Sequence, residues 1–380
     1  MLKTKDVKMK NKKILMIATT DNMIWQFLIP HIKHLEELGN TVECVCAKTG
    51  FWFDELREKF GFTMHEMNFA RNPITPKNLK SYKQLVKLQK ERNYNLIYCQ
   101  QPVGGLMGRL LARKFKIPCI YTAHGFHFYK GCPLKNKLIY KTVEKWLSKY
   151  TDALITINEE DYETAKKMKA KRVYKINGIG IDENKYEKNK ETKASLRESF
   201  NLKNDDFVIA TVAEFIKRKN YKTMLEAIRL LKNKHSNIKF LVCGRGQEEE
   251  KIKKQIKKLD IEQEVVLLGY RKDVNRILQC SDVFMLASFH EGLTLSIIEA
   301  MSFELPCVVS NVRGNRDLIQ DGKGGFVVEP SDAKTFAEKI NEILENPNLA
   351  QEFGKYNKQQ SEKYKVEIVK NDLEEIYKLF

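Results

Sequence analysis

A chain of 380 residues is longer than one ordinary hydrophobic core supports, which predicts two domains. With 42% hydrophobic and 31% charged residues and a net charge of +18, the composition is that of a soluble globular protein. Residues 1–13 are polar and basic and lack an apolar core, so they do not predict a secretory signal, and no apolar run approaches the length of a membrane span.

The positive charge is concentrated in the first half of the chain. Residues 1–185 contain 34 lysines and arginines against 18 acidic residues, whereas residues 186–380 contain 33 against 31. Residues 101–150 contain ten basic residues and one acidic residue. Such segregation indicates an anionic surface as partner, either a membrane or a nucleic acid. The basic half has no recognised nucleic-acid-binding motif, which favours the membrane.

The eight cysteines lie mostly inside apolar, strand-like runs and lack Cys-x-x-Cys spacing. This pattern predicts buried free thiols in a reducing cytoplasm, with neither disulfides nor a metal site.

The first half alternates short apolar runs with longer segments of helical periodicity, such as residues 32–38 and 82–88. This alternation is typical of a parallel, doubly wound sheet. The predicted strands are Ile14–Thr19, Val42–Ala47, Leu96–Gln100, Cys119–Ala123, Ala153–Ile157 and Val173–Asn177.

The second half repeats the pattern, which predicts two Rossmann-like domains, residues 1–190 and 191–365, with the linker region at Glu183–Asn204. Residues 366–380 have the pattern of an amphipathic helix. The predicted strands are Phe207–Ala213, Phe240–Cys243, Val265–Gly269, Val283–Ala287, Cys307–Ser310 and Gly325–Val328.

A histidine-containing segment, Tyr121–Gly131, begins in the fourth predicted strand and continues into a loop. Gly125 and Gly131 permit a tight backbone path. His124 lies at the carboxyl end of its strand, where open α/β sheets bind ligands. The alternative is a histidine whose hydrogen bonds are satisfied by the loop backbone, and His127 is the stronger case for such a structural role.

The segment Pro133–Tyr150 predicts a basic amphipathic helix. Its apolar residues include Leu134, Leu138 and Trp146, and its lysines include Lys137, Lys141 and Lys145. This pattern favours docking to anionic lipid. The alternative is a helix that packs on the core and exposes a solvated basic face.

In the second half, the loop Ala213–Asn220 contains Arg218 and Lys219, whose charges could stabilise negative charge that develops on a leaving group. The alternative is an ordinary basic surface loop. Two further turns follow strands, at Gly244 and at Tyr270–Arg271, and neither is specific alone.

The segment Phe289–Met301 predicts a loop and a helix between two buried strands. Glu291 and Gly292 lie where the first strand ends, and the helix begins near Leu293–Leu295 with N–H groups that suit an anion. Glu299 lies off the apolar stripe of the helix at 100° per residue. The alternative is an ordinary βαβ unit with solvated glutamates.

Glu291 and Glu299, separated by seven residues, resemble the paired-glutamate motif of retaining glycosyltransferases of family 4, in the glycogen-synthase-like clan. The loop around His124 resembles the His-Gly segment of capsular- and exopolysaccharide-type members. The likeness covers nearly the whole chain. It implies a GT-B fold, in which two α/β Rossmann-like domains face a cleft and the helix at 366–380 packs back on the first domain.

The resemblance also implies roles for individual residues. His124 would face the donor sugar and its leaving phosphate, Glu291 would touch the sugar hydroxyls, and Glu299 would hold the ribose hydroxyls. Lys219 would bind the donor diphosphate. The other implied donor-binding residues are Gly244, Tyr270, Arg271, Gly292, Leu293 and Thr294.

The chain departs from the family pattern at two positions. Glu214 stands where the family usually has an arginine, and Arg218 is the candidate to replace that guanidinium. The loop after the first strand, Thr19–Met23, lacks the usual glycine pair, which puts the acceptor-side phosphate contact in doubt.

The resemblance implies a hexosyl- or N-acetylhexosaminyltransferase that uses a nucleotide-sugar donor, a UDP-sugar, without a metal or other cofactor. The implied acceptor is a polyprenyl-diphosphate-linked saccharide at the inner face of the cell membrane, in capsule or exopolysaccharide synthesis. Two other classes stay open: a sugar-nucleotide epimerase of the UDP-N-acetylglucosamine 2-epimerase type, and a degenerate domain that acts as a scaffold.

Overall fold

The computed structural model describes residues 10–50, 52–70, 75–100, 102–129, 131–182 and 190–380. Lys130 and residues 183–189 of the predicted linker region lie outside these ranges. The chain forms two compact units. Unit 1 comprises Met1–Gly180 and Val366–Phe380, and unit 2 comprises Ile181–Lys365.

Unit 1 contains a seven-stranded parallel sheet in the order β3-β2-β1-β4-β5-β6-β7. Its central strands are apolar on both faces because crossover helices cover both sides. The order reverses direction between β1 and β4, the usual position of a ligand site in an open α/β sheet. The strands are Lys13–Thr20 (β1), Thr41–Ala47 (β2), Thr63–Glu66 (β3), Leu96–Gln100 (β4), Cys119–Ala123 (β5), Ala153–Thr156 (β6) and Arg172–Lys175 (β7).

Strand β3 was not predicted from the sequence. It pairs only with β2, at one edge of the sheet, and none of its four side chains is fully buried. An edge strand of this kind carries polar residues, so it produces no apolar run. The other six strands of unit 1 are confirmed.

The helices of unit 1 connect the strands. The first, α1, passes through a π-helical turn at Ile24–Leu28 into α2. Helices α4 and α5 end where Asn93 and Lys116 adopt left-handed conformations. The helices are Asp21–Met23 (α1), Ile29–Glu37 (α2), Trp52–Phe60 (α3), Pro76–Arg92 (α4), Val103–Phe115 (α5), Leu134–Leu147 (α6) and Glu159–Ala165 (α7).

Unit 2 contains a six-stranded parallel sheet in the order β10-β9-β8-β11-β12-β13, with its reversal between β8 and β11. All six strands were predicted. They are Phe207–Val212 (β8), Ile238–Cys243 (β9), Val265–Gly269 (β10), Val283–Leu286 (β11), Cys307–Ser310 (β12) and Gly325–Val328 (β13). The helices are Lys193–Ser199 (α8), Tyr221–Lys232 (α9), Glu249–Lys258 (α10), Val274–Cys280 (α11), Leu295–Ser302 (α12), Asn315–Leu318 (α13), Ala333–Glu345 (α14) and Pro347–Ser361 (α15).

The last helix, Val366–Tyr377 (α16), belongs to unit 1 although it follows unit 2 in the chain. It buries Val369 and Leu373, and its Glu374 Oε1 lies 3.1 Å from His34 Nε2 on α2. Gly180 and Val366, the two residues at which the chain leaves and re-enters unit 1, pack closely: a Cβ added to Gly180 would lie 2.5 Å from the Val366 Cα.

A buried ion pair fixes helix α6 to the sheet of unit 1. The Arg109 guanidinium is fully buried and donates two hydrogen bonds to Glu144 of α6, at 2.7 and 3.0 Å. It also stacks on the Tyr121 ring, 3.8 Å from the ring centroid, and the Tyr121 hydroxyl donates to Glu144. Burial favours the neutral form of Arg109, but the Glu144 carboxylate outweighs this and raises the pKa of Arg109.

The same contact turns most apolar side chains of α6 toward solvent. Leu147 is the one fully buried residue of the helix, whereas Leu134 and Leu138 are 77% and 70% exposed. Helix α6 therefore has a polar residue on its inner side and apolar residues outside, unlike the core-packing alternative considered from the sequence. Its exposed large apolar residues are Leu134, Leu138, Ile139, Val143 and Trp146.

We predict that Glu144→Ala lowers the free energy of unfolding of unit 1 by about 3–5 kcal/mol, because Arg109 would keep a buried charge without its anion. All three tryptophans, Trp25, Trp52 and Trp146, lie in unit 1, so tryptophan emission during urea unfolding reports this unit alone. Glu163→Ala, which removes an exposed pair with Lys166, is the control and should change little. Equal effects of the two substitutions would contradict the assigned role of Glu144.

Candidate functional site

The candidate site of unit 2 lies at the carboxyl ends of β8 and β11, the neighbouring strands at which the sheet order reverses. The loop after β8 contains a 3-10 turn at Lys217–Lys219. The loop after β11 leads to α12. The two loops are joined by backbone, since the Phe289 N–H donates to the Arg218 carbonyl at 2.9 Å. The fold thus brings together two segments that are about 70 residues apart in sequence.

Glu291 binds both cations of the neighbouring loop. Lys219 Nζ donates to its Oε1 at 2.7 Å, and Arg218 Nη1 donates to its Oε2 at 2.5 Å. Burial alone would raise the pKa of Glu291, but the Lys219 and Arg218 charges outweigh burial and lower this pKa to about 2. Glu291 is therefore an anion at neutral pH, and it is buried and paired, not solvated as in the alternative considered from the sequence.

A third loop, after β12, supports Glu291 and was not identified from the sequence. The buried Arg313 Nε donates to the Glu291 carbonyl at 2.9 Å. Gly314 has φ +77°, and a Cβ added there would lie 2.2 Å from the Gly292 carbonyl oxygen. A side chain larger than hydrogen therefore has no room at Gly314. The sequence alone could not predict these contacts, because a single Arg-Gly pair such as Arg313-Gly314 is not a recognisable motif.

Helix α12 begins at Leu295, next to the predicted start, with Thr294 as its N-cap residue. The Thr294 hydroxyl donates to Asn315 at 2.9 Å, which fixes the backbone that enters the helix. The first N–H groups of a helix have no partner within the helix and carry the positive end of its dipole. Glu299, predicted to lie off the apolar stripe, is nevertheless buried on α12.

The other predicted donor-binding residues lie after β9 and β10. A Cβ added to Gly244 would lie 1.9 Å from the Ala213 carbonyl oxygen, so this glycine is required by packing. Tyr270 is 50% exposed, and the Arg245 guanidinium lies 4.5 Å from its ring centroid. Arg271 donates two hydrogen bonds to Asp273 within its own loop, at 2.8 and 2.5 Å. Tyr270 is thus the more accessible of these side chains.

In unit 1, His124 follows β5 and lies beside the end of β4. Its Nε2 is 2.8 Å from the Gln100 Oε1, and the Gln100 amide nitrogen points to the Met16 sulfur at 3.7 Å. Gln100 therefore accepts the Nε2 proton, which leaves Nδ1 of His124 as an acceptor. Burial, with a smaller contribution from His31, lowers the pKa of His124 to about 4, so the ring is neutral at pH 7.

Neighbouring residues fix the loop that carries His124. The Phe126 N–H donates to the buried Asp161 at 3.0 Å, and Phe126 stacks on Phe128 with ring centroids 4.8 Å apart. The exposed His127 ring lies 5.0 Å from the Tyr140 ring of α6. The loop predicted at Thr19–Met23 is absent, because β1 continues to Thr20 and α1 begins at Asp21. The buried Asp21 accepts the Thr49 N–H at 3.1 Å. Gln100 and Asp161 were not identified from the sequence.

The eight cysteines, all within the described ranges, are free thiols, and seven of them are buried. Over the same ranges, no cluster of three or more His, Cys, Asp or Glu side chains has the arrangement of a metal site.

Comparison with known proteins matches each unit to a family of glycosyltransferases. The family described as "Glycosyl transferases group 1" matches residues 192–360, and "Glycosyl transferase 4-like" matches residues 13–158. EpsD of Bacillus subtilis (strain 168), named as a glycosyltransferase, is 35% identical over 375 residues, which cover 97% of each chain. The UDP-Gal:alpha-D-GlcNAc-diphosphoundecaprenol alpha-1,3-galactosyltransferase of Escherichia coli is 31% identical over 319 residues, or 81% of each chain.

The fold is also that of solved structures. The crystal structure of Anabaena HepE in complex with UDP and glucose matches with a TM-score of 0.82 at 18% identity, over 97% of this chain and 100% of that one. The GT-B fold predicted from the sequence is confirmed.

We predict that the stability difference between the wild type and Glu291→Gln narrows as pH falls from about 4.5 to about 2. Folding lowers the pKa of Glu291 from 4.5 to about 2, so the ionised carboxylate contributes to the free energy of unfolding above pH 4.5. This contribution is lost as the pH falls toward about 2. This shift in pKa corresponds to a contribution of about 3 kcal/mol to the free energy of unfolding. Urea unfolding followed by circular dichroism measures this difference.

Tryptophan emission, which reports unit 1, provides the internal control for that experiment. It should show no difference between the two proteins at any pH. A circular dichroism difference that is constant from pH 5 to pH 2 would contradict the ion-pair explanation.

Proposed function

The chain belongs to the group 1 glycosyltransferases, of the family 4 type, and from this we propose that it transfers a sugar from a UDP-sugar to a polyprenyl-diphosphate-linked saccharide with retention at the anomeric carbon. The observation that carries the proposal is the position of Arg218, Lys219 and Glu291 on two loops at the reversal point of the unit 2 sheet. The transferred sugar is a hexose or an N-acetylhexosamine.

The donor binds to unit 2 in this proposal. Arg218 and Lys219 hold the diphosphate, together with the backbone of Gly292, Leu293 and Thr294 at the start of α12, because an anion is stabilised there by N–H groups and the helix dipole. Glu299 holds the ribose hydroxyls, and Tyr270 with Arg271 lies beside the base. The HepE crystal structure, which contains UDP and glucose, supports a UDP-sugar as donor.

The reaction uses positive charge and no enzyme nucleophile in this proposal. Negative charge develops on the leaving diphosphate, and Arg218 and Lys219 stabilise it without a metal ion. Glu291 is a weak base at a pKa of about 2 and is shared by two cations, which disfavours a nucleophilic role. The neutral His124 contributes Nδ1 as a hydrogen-bond acceptor for a sugar hydroxyl.

The acceptor and the membrane are on the side of unit 1 in this proposal. The Escherichia coli relative is named for a diphosphoundecaprenol acceptor, which supports a lipid-linked saccharide here. None of the described helices is both long and apolar enough to span a bilayer. We propose that α6 docks on the anionic inner face of the cell membrane, in capsule or exopolysaccharide synthesis.

The geometry of α6 supports this docking. Glu144 is the sole acidic residue between positions 101 and 150, and its charge is turned inward to Arg109. The outer side of the helix therefore combines exposed apolar residues with exposed lysines, the combination that suits an anionic bilayer. The exposed lysines on and after α6 are Lys135, Lys137, Lys141, Lys145 and Lys149.

We predict that Glu291→Ala and His124→Ala each lower sugar transfer at least ~100-fold, because each removes a polar contact to the reacting sugar. The assay uses a panel of UDP-sugars with a short-chain polyprenyl-diphosphate saccharide. His127→Ala, in the same loop, and Glu338→Ala, on the exposed face of α14, are matched controls that should keep wild-type rates. Wild-type transfer by Glu291→Ala would show the site assignment to be wrong.

The same assay without acceptor tests the epimerase alternative. Conversion of UDP-N-acetylglucosamine to an epimer in the absence of any lipid would favour that alternative over transfer.

We also predict that neutralising three lysines of α6 by Lys137→Gln, Lys141→Gln and Lys145→Gln lowers partitioning onto phosphatidylglycerol vesicles about 100-fold, at about 1 kcal/mol for each lysine. Binding should also weaken as salt rises. The matched control removes the same charge from α10 of unit 2. It consists of Lys254→Gln, Lys257→Gln and Lys258→Gln. Equal losses in both variants, or no vesicle binding at low salt, would contradict docking through α6.

A further inference from the structure

We propose that Glu291 is the built-in counter-anion of the diphosphate site: it competes with the donor diphosphate for Arg218 and Lys219, and thereby promotes release of the nucleoside diphosphate product. This inference rests on the proposed function, because it takes a nucleoside diphosphate as the ligand. It assigns Glu291 a role toward the phosphates in addition to the sugar contact that the family resemblance implies.

The contacts of the carboxylate support this role. Each of its two oxygens serves a different cation, Oε1 for the Lys219 ammonium and Oε2 for the Arg218 guanidinium. Carboxylate and phosphate groups present paired oxygens to such donors in the same way. A diphosphate that binds to Arg218 and Lys219 must therefore share or replace the contacts that Glu291 makes.

The cations differ in how accessible they are to a ligand. The Arg218 side chain is 31% exposed, whereas the Lys219 side chain is 10% exposed. An arriving phosphate would contact Arg218 first and would reach Lys219 only by sharing it with Glu291. The competition thus concerns Lys219 most, and Glu291 can return to it when the product leaves.

The Arg218 side chain has a second contact besides the carboxylate. Arg218 Nη1 also donates to the His290 carbonyl at 3.1 Å, and the Arg218 carbonyl accepts the Phe289 N–H. The Glu291 backbone is held independently by Arg313. A glutamine at position 291 therefore removes the negative charge while it leaves these backbone contacts intact.

The charge balance predicts the direction of the effect. Three cationic side chains, Arg218, Lys219 and Arg313, contact the side chain or backbone of Glu291. The low pKa of Glu291 keeps its negative charge present at neutral pH. The Glu291 carboxylate and a diphosphate bound to the same two cations carry like charges and repel each other. Removal of the carboxylate charge should therefore strengthen binding of the diphosphate.

The experiment compares the binding of UDP and of uridine to the full chain by calorimetry. We expect Glu291→Gln to bind UDP roughly 10-fold more tightly than the wild type, with unchanged uridine affinity, because only the diphosphate interacts with the cations. Product inhibition of transfer by UDP should become stronger by a similar factor. Glu338→Gln, which removes the same charge from the exposed face of α14, is the control and should leave UDP binding unchanged.

A second variant keeps the test informative if Glu291→Gln does not fold. Glu291→Asp retains the charge on a shorter side chain that cannot span both cations, and it should tighten UDP binding by a smaller factor. Unchanged or weaker UDP binding in the folded variants, with UDP bound by the wild type, would overturn the counter-anion role alone. Failure of the wild type to bind UDP, GDP or ADP would overturn both this role and the proposed function.

Discussion

The ion triad of Glu291, Arg218 and Lys219 is the interaction on which the site of unit 2 depends. Burying charged groups is costly unless each finds a partner, so one carboxylate held by two cations determines how the loops after β8 and β11 meet. The loop after β12 completes the arrangement through Arg313 and through the close packing of Gly314 on Gly292. Three loops that leave neighbouring strands at one edge of the sheet are thereby held as one rigid group, which is the condition for binding an anion with little reorganisation.

The need of a buried charge for a partner also determines the surface of unit 1, where it exposes apolar residues. Arg109 is buried, and its need for an anion draws Glu144 of α6 inward. Because Glu144 occupies the inner side of the helix, Leu134 and Leu138 face outward, whereas Leu147 stays buried at the end of the helix. Exposed leucines are costly unless an apolar partner covers them. In unit 2 a buried pair creates a polar site, and in unit 1 a buried pair creates an apolar surface.

Local sequence patterns predicted most of the fold and only part of the site. Of the thirteen strands that the described residues form, twelve follow from apolar runs, and β3 does not, because an exposed edge strand has none. Glu291 and His124 were identified by resemblance and by their places at strand ends. Gln100, Arg313 and Asp161 were missed because their roles depend on contacts that cross the sheet or join distant loops, such as the 24-residue separation between Gln100 and His124. The outward turn of α6 was likewise unpredictable, since periodicity identifies an apolar face without showing which side packs.

The return of α16 to unit 1 makes unit 2 an insertion in the chain of unit 1. Unit 2 is one continuous segment, Ile181–Lys365, whereas unit 1 is completed only by residues that follow it. Where the chain re-enters, the Ile181 N–H donates to the Tyr364 carbonyl, and Gly180 abuts Val366. During synthesis, which runs from the amino end, unit 2 can therefore finish folding first, while the α2 surface of unit 1 waits for α16. Unit 1, which contains the first residues of the chain, is therefore the last unit to be completed.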